Sequence, residues 1–154
     1  MEIATLRFGA LEVEEDRVIR FTSGIPPFTD VLHYVLVART EELPFQWLQA
    51  VDDPELAFVV ADPLVFFPDY APAIAPADRQ ELGLGREEAV QVLVLLVVSR
   101  SAGSIMANLL APVVINPQRQ TAKQIVTDGG LDLVRVPLPI PQADEVVAAV
   151  RAAG

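Results

Sequence analysis

Few side chains in this sequence could carry catalysis. His33 is the only histidine and there is no cysteine, so Cys/His zinc sites and Cys–His dyads are excluded. Asp52 and Asp53 are paired carboxylates, but neighbouring residues on a strand point to opposite faces, and Asp-Asp-Pro is typical of a turn. Residue chemistry therefore favours a binding protein over an enzyme, with an acid hydrolase using Asp52 or Asp69 as an alternative.

A phosphate-binding loop is the second chemistry to test. Gly83-Leu84-Gly85 begins a G-x-G-x-x-G pattern, but Glu88 stands where the third glycine belongs. The pattern therefore does not predict a nucleotide site, and the sequence predicts no cofactor and no metal.

The net charge of −10 is concentrated in one segment. Residues 30–88 hold 12 acidic and 3 basic side chains, a net charge of −9. Phosphate binding needs a positive surface, so nucleic acid is not expected as a direct ligand. The charge could serve solubility alone, or it could attract a basic protein partner.

Length and hydropathy predict one domain, and the absence of cysteine is compatible with the reducing cytoplasm, where we expect this protein. The chain has 154 residues, 52% of them hydrophobic, which suits a single core. The longest apolar run, Val92–Val98, is far shorter than the ~20 residues that cross a bilayer. The N-terminus carries no signal-peptide pattern. We expect no membrane association, and a monomer.

The candidate residues lie on or between predicted strands. These strand patterns, separated by turn signals, indicate a β-sandwich or barrel. Phe45–Val51 and Leu56–Ala61 predict a hairpin around Asp52-Asp53-Pro54. Other predicted elements include a hairpin joining Leu11–Val13 to Arg17–Phe21, a strand over Val90–Ser99, a final strand over Leu131–Val136 and short helices over Asp78–Leu82 and Ala143–Ala153. The predicted division is a β domain over residues 1–137, then a proline linker and a helix over residues 138–154.

Large apolar residues on loops are the candidates for partner contacts. Ile25 and Phe28 lie on a Gly/Pro loop, where they could either plug the core or form an exposed docking patch. We predict partner contacts at exposed apolar loop positions, namely Ile25, Pro26, Phe28, Phe67 and Tyr70.

Several stretches together carry a family resemblance. They are Ile19-Arg20-Phe21 with Gly24-Ile25-Pro26-Pro27-Phe28, Pro44–Pro54, Ala57–Val60 with Asp62-Pro63, Pro68-Asp69-Tyr70, and Asn108–Asn116. In this order, over about residues 3–137, they resemble the FliW family of flagellar assembly factors. Pro27 stands where the family usually has Gly, and Ala50 where it commonly has Ser.

The resemblance implies a mainly β fold, a single-domain small antiparallel β-barrel-like fold with one or two short helices, and no catalytic activity. It also implies two partners. One is flagellin, bound in the cytoplasm before export, and the other is CsrA, the RNA-binding regulator that represses flagellin translation. FliW released from flagellin binds CsrA and relieves that repression.

Two functional hypotheses remain beside each other. In the first, the acidic segment, with Glu41, Glu42, Glu87 and Glu88, contacts CsrA and repels RNA phosphates. In the alternative, the protein is a small-ligand-binding barrel whose lumen is lined by Trp47, Phe58 and Phe66.

Overall fold

A computed structural model describes residues 1–38, 44–98 and 104–139 of the chain. Within these ranges the strands are β1 (Glu2–Thr5), β2 (Gly9–Glu12), β3 (Ile19–Phe21), β4 (His33–Val37), β5 (Gln46–Ala50), β6 (Ala57–Ala61), β7 (Gln91–Val98), β8 (Ile105–Ala107), β9 (Val113–Asn116), β10 (Thr121–Gln124) and β11 (Val136–Pro137). One α-helix, α1 (Pro76–Glu81), and 3-10 turns at Glu15–Arg17, Pro63–Val65 and Leu131–Leu133 complete the described elements.

Seven of the strands close into a barrel, which confirms the predicted mainly β, barrel-like fold. Their order around the ring is β7-β6-β5-β4-β3-β10-β9, and β9 returns to β7 through Gln91–Leu93. The later part of β7 pairs instead with β8, which carries β11 on its outer side. The expectation of a purely antiparallel barrel is wrong at one position, because β3 and β10 run parallel, with Arg20 opposite Thr121.

The barrel lumen is filled by side chains. One face of every ring strand contributes to a single apolar cluster, in which Ile25 and Leu56 of the connecting loops also pack. The strand members of that cluster are Ile19, Phe21, Tyr34, Leu48, Ala50, Val60, Leu93, Val113, Ile115 and Ala122. A barrel of this size therefore has a packed core in place of a ligand chamber.

The ligand-binding alternative predicted that Trp47, Phe58 and Phe66 line the lumen, and this is wrong for Trp47 and Phe66. Side chains alternate along β5, so Trp47 points to the outer face while Leu48 points inward. Phe66 also packs outside the lumen, in a second apolar cluster that we call the outer cluster. Phe58 packs at the edge of the cluster that fills the lumen.

The outer cluster is a second core between β5–β7 and the segments that cover them. Phe8 meets Trp47 edge-on with ring centroids 5.6 Å apart, and Phe45 stacks on Phe66 at 6.1 Å. Leu138 is buried in this cluster and its N–H donates to the carbonyl of Ile105 at 2.9 Å. The outer cluster, or outer core, therefore fixes the positions of the N-terminal hairpin β1–β2 and of residues 64–70 after β6, which we call the aromatic segment.

Helix α1 covers the other side of the barrel, near its predicted position. Leu82 and Leu84, which follow it, pack with Val114 and Ile125. Gly83 ends the helix with φ of +75°, a conformation that glycine adopts without strain. Among the described residues, no helix is long and apolar enough to cross a membrane.

Two predicted elements are wrong. The first hairpin joins β1 to β2, with Thr5 opposite Gly9, because Gly9 adopts φ of +70° and the Thr5 hydroxyl donates to the Gly9 carbonyl at 2.7 Å. Residues Glu15–Arg17 form a 3-10 turn, and β3 pairs with β4 and β10. Leu131–Leu133 is a 3-10 turn, not a strand. The predicted helix over Ala143–Ala153 lies outside the described residues.

Candidate partner-binding surface

The loop after β3 covers one end of the barrel. Ile25 is 2% exposed and plugs the lumen, so its predicted place on an exposed patch is wrong. Pro26 and Phe28 are exposed, and the Phe28 ring packs edge-on against Phe58 at 6.1 Å. The loop is tight, because the Phe28 N–H donates to the Ile25 carbonyl at 2.7 Å. Only part of the predicted apolar patch therefore faces solvent.

The aromatic segment after β6 begins at the opposite end of the barrel. Asp62 Oδ1 accepts the Leu64 N–H at 2.9 Å and starts the 3-10 turn Pro63–Val65. That turn exposes Leu64 and Val65, which are 53% and 61% exposed. Neither residue was among the predicted contacts, although the sequence carries a signal: two apolar residues directly follow Asp-Pro, which favours a turn at the surface.

Phe67 and Tyr70, predicted as exposed contacts, are half-buried against the outer core. The Tyr70 hydroxyl donates to the Leu109 carbonyl at 2.7 Å. Burial raises the pKa of Tyr70 to about 12. Tyr70 therefore anchors the aromatic segment to the β8–β9 connection and presents only part of its ring to solvent.

An open groove runs between the aromatic segment and the start of β7. Its volume is about 310 Å³. Its walls are mostly apolar: Asp62, Pro63, Leu64, Tyr70, Pro72, Val90, Gln91, Val92 and Leu93. Glu87 and Glu88 are exposed in the turn that leads into β7. Tyr70 and Val90 line this groove, and Glu87 and Glu88 precede Val90 by three and two residues. The start of β7 lies at the end of the barrel opposite the loop that holds Pro26 and Phe28. Glu41 and Glu42 lie outside the described residues.

A second, more polar cavity of about 690 Å³ lies at the same end of the barrel as the groove. Its polar lining residues include Glu12, Glu14, Arg17, Gln46 and Gln120. Gln46 Oε1 is buried there and accepts no hydrogen bond from any described residue. Ala38 also lines this cavity, and residues 39–43, which follow it, lie outside the described residues.

The aspartates that were weighed as possible catalytic groups take part in a turn or are exposed. Asp53 Oδ1 accepts the Glu55 N–H at 3.0 Å, which confirms its role in a turn, and Asp52 and Asp69 are exposed. Lys123 Nζ lies 2.8 Å from Asp78 and 2.6 Å from Glu81, and these hydrogen bonds, that of Asp78 first, raise the pKa of Lys123. Among residues 1–38, 44–98 and 104–139, no three His, Cys, Asp or Glu residues gather as metal ligands would.

Comparison with known proteins agrees with this architecture. The sequence profile of the family described as FliW protein matches residues 2–138. The flagellar assembly factor FliW of Caldanaerobacter subterraneus is 35% identical over 139 residues, covering 90% of this chain and 93% of that protein. The FliW of Bacillus licheniformis is 35% identical over 138 residues, covering 90% and 96%. A crystal structure of the flagellar assembly factor FliW superposes with a TM-score of 0.78 at 30% identity, covering 92% of this chain and 99% of that chain. This chain belongs to the FliW family of flagellar assembly factors.

Proposed function

We propose that this chain is a cytoplasmic regulatory binding protein that binds flagellin and CsrA, and that it antagonises CsrA to relieve repression of flagellin translation. The observation that carries the proposal is the match of residues 2–138 to the FliW family. The motifs that first indicated the family keep structural roles here. For example, buried Gln49 Nε2 donates to the carbonyls of Ala50, Asp53 and Leu56 at 3.1, 3.2 and 3.2 Å.

The packed lumen supports a function carried by the outer surface. The inner apolar cluster draws on all seven ring strands, which leaves loops and outer faces as the places where a partner can bind. Those faces are acidic, and an acidic body docked on CsrA would repel RNA phosphates while attracting a basic partner surface. The proposed antagonism therefore needs no overlap with the RNA-contacting surface of CsrA.

The test of this function is calorimetric titration of the purified full chain with CsrA, with flagellin, and with both in competition. We expect micromolar or tighter binding to each partner, with flagellin displacing CsrA. Absence of binding to both partners would refute the proposal, and binding of both at once without competition would refute the partner switch.

The electrostatic step has its own test. Glu41, Glu42, Glu87 and Glu88 are changed together to Gln, and the control changes four acidic residues of the N-terminal part to their amides: Glu2, Glu14, Glu15 and Asp16. We expect the first variant to lose displacement of RNA from CsrA more than it loses CsrA binding, and the control to lose neither selectively. Equal RNA displacement by both variants would contradict the electrostatic mechanism.

A further inference from the structure

The groove beside β7 contains a short free strand edge. The β6–β7 ladder ends at Ala61 opposite Val94, while β7 continues back to Gln91. A continuation of β6 would place Pro63 opposite Val92, and proline has no N–H to give to a ladder. The Pro63 carbonyl is also occupied, because it accepts the N–H groups of Phe66 and Phe67 at 3.1 and 2.7 Å. β6 therefore cannot cover this part of β7.

The direction of the backbone N–H and C=O groups identifies which residue of β7 faces the groove. The Leu95 carbonyl accepts the Asn108 N–H at 3.0 Å, so Leu95 points its backbone groups to the β8 side. Successive residues of a strand point these groups to opposite sides. Val94 therefore faces β6, and the N–H and C=O of Val92 point away from its β9 neighbour Val114 and toward the groove, where the β6 ladder has already ended at Ala61.

We propose that this groove binds an extended, basic segment of a partner protein, which adds to β7 as a short strand through hydrogen bonds to Val92. Addition of a strand to a free edge supplies affinity through the main chain and specificity through alternate side-chain pockets. Here the pocket is apolar, with half-exposed Leu64 on one rim and the ring of Tyr70 beside it.

The charges around the groove select a basic segment. Asp62 lines the groove, Asp69 precedes Tyr70, and Glu87 and Glu88 precede β7. The same stretch of chain holds two cations, Arg86 and Arg79; Arg79 donates to the carbonyls of Gly85 and Glu88 at 3.1 and 3.3 Å and keeps its charge, so the four carboxylates exceed the cations by two. Lys or Arg at alternate positions of the guest would lie toward these carboxylates, while the residues between them would face the apolar wall.

This inference goes beyond the proposed function, because it concerns one edge and one class of segment whichever protein supplies it. The probe is the blocked peptide Lys-Val-Lys-Val-Lys-Val, with two versions that carry N-methyl groups on one or the other alternate set of residues. In a strand only one set of N–H groups faces β7, so one version should bind about tenfold more weakly than the parent and the other should not. Fluorescence anisotropy of labelled peptides measures this difference on the full chain.

Three protein variants, one of them a control, and one spectral readout complete the test. Asp62→Asn keeps the oxygen that accepts the Leu64 N–H but removes the charge, and should weaken binding severalfold. Leu64→Lys should abolish binding, while the matched Val126→Lys, at a residue 77% exposed outside the groove, should not change it. The amide of Val92 should shift in the NMR spectrum and exchange more slowly with solvent when peptide is bound. No binding, equal loss from both methylated versions, or an unchanged Val92 amide would each overturn the proposal.

Discussion

Two Tyr→Phe substitutions should change stability in opposite directions, although each removes a single hydroxyl. Tyr34 is fully buried in the lumen and its hydroxyl has no hydrogen-bond partner among the described residues. Tyr70 donates its hydroxyl to the carbonyl of Leu109, a residue that is 5% exposed. The first substitution removes an unsatisfied polar group, whereas the second breaks a hydrogen bond and leaves a buried carbonyl without a partner.

The magnitudes follow from these environments. A buried polar group without a partner costs about 1–3 kcal/mol, so Tyr34→Phe should raise the free energy of unfolding by about 1 kcal/mol. Tyr70→Phe should lower it by about 1–2 kcal/mol, through the lost bond and the unpaired Leu109 carbonyl. Each kcal/mol should correspond to roughly 2–4 °C in Tm for a chain of this size.

Urea unfolding followed by Trp47 fluorescence measures both changes, since Trp47 is the only tryptophan and is 1% exposed. The two variants serve as each other's control, because the chemical change is identical and only the partner differs. Equal destabilisation by Tyr34→Phe and Tyr70→Phe would refute the assignment of an unsatisfied hydroxyl to Tyr34.

Three further predictions concern pH, one glycine and one ion-pair cluster. Burial raises the pKa of Tyr34 and Tyr70 to about 12 from 10.0, so their ionisation should leave stability unchanged below pH 10 and lower it as pH rises from 10 toward 12; the double Tyr→Phe variant should show a flatter urea-midpoint profile there. Gly24→Ala would place its Cβ 2.3 Å from the Phe28 carbonyl oxygen and should cost about 1–3 kcal/mol by urea unfolding, whereas Gly130→Ala, whose methyl group meets only the Asp132 side chain, should cost less. Lys123→Met should lower the free energy of unfolding by about 0.5–1 kcal/mol, and a loss that persists undiminished in about 1 M salt would count against an ionic origin.

Local patterns were sufficient for the central hairpin. Apolar runs on both sides of Asp52-Asp53-Pro54 predicted two strands and a turn, and β5 and β6 pair there with Leu48 opposite Phe58. The role of Gln49 was beyond the reach of the sequence. Its amide joins three carbonyls that meet only after the corner has folded, and a buried glutamine in a strand pattern gives no signal of that geometry.

The errors arise where the local pattern fits more than one pairing partner or environment. Leu11–Val13 and Arg17–Phe21 flank a charged segment as hairpin strands do, but the conformation of Gly9 turns β2 back onto β1 first. The loop after β3 shows the same limit for the candidate site. Ile25 and Phe28 are both large apolar residues on one loop, and only the position of the barrel end decides that Ile25 plugs it while Phe28 is 41% exposed.

The number of strands in the ring links the topology to the groove. A closed ring with an odd number of strands cannot alternate direction throughout, so seven strands require at least one parallel pair, and here that pair is β3–β10.

Closure satisfies the edges of the ring strands only where neighbouring strands match in length. β7 has eight residues and β6 has five, so β7 must obtain partners from elsewhere at its two ends. On one side β8 and β9 divide its length between them, and on the other side Pro63 stops the ladder before Val92. Extension of β6 across this gap would need an N–H group at position 63, which proline lacks. The Asp-Pro turn that prevents the extension also lines the groove, so the free edge and the groove have one structural origin.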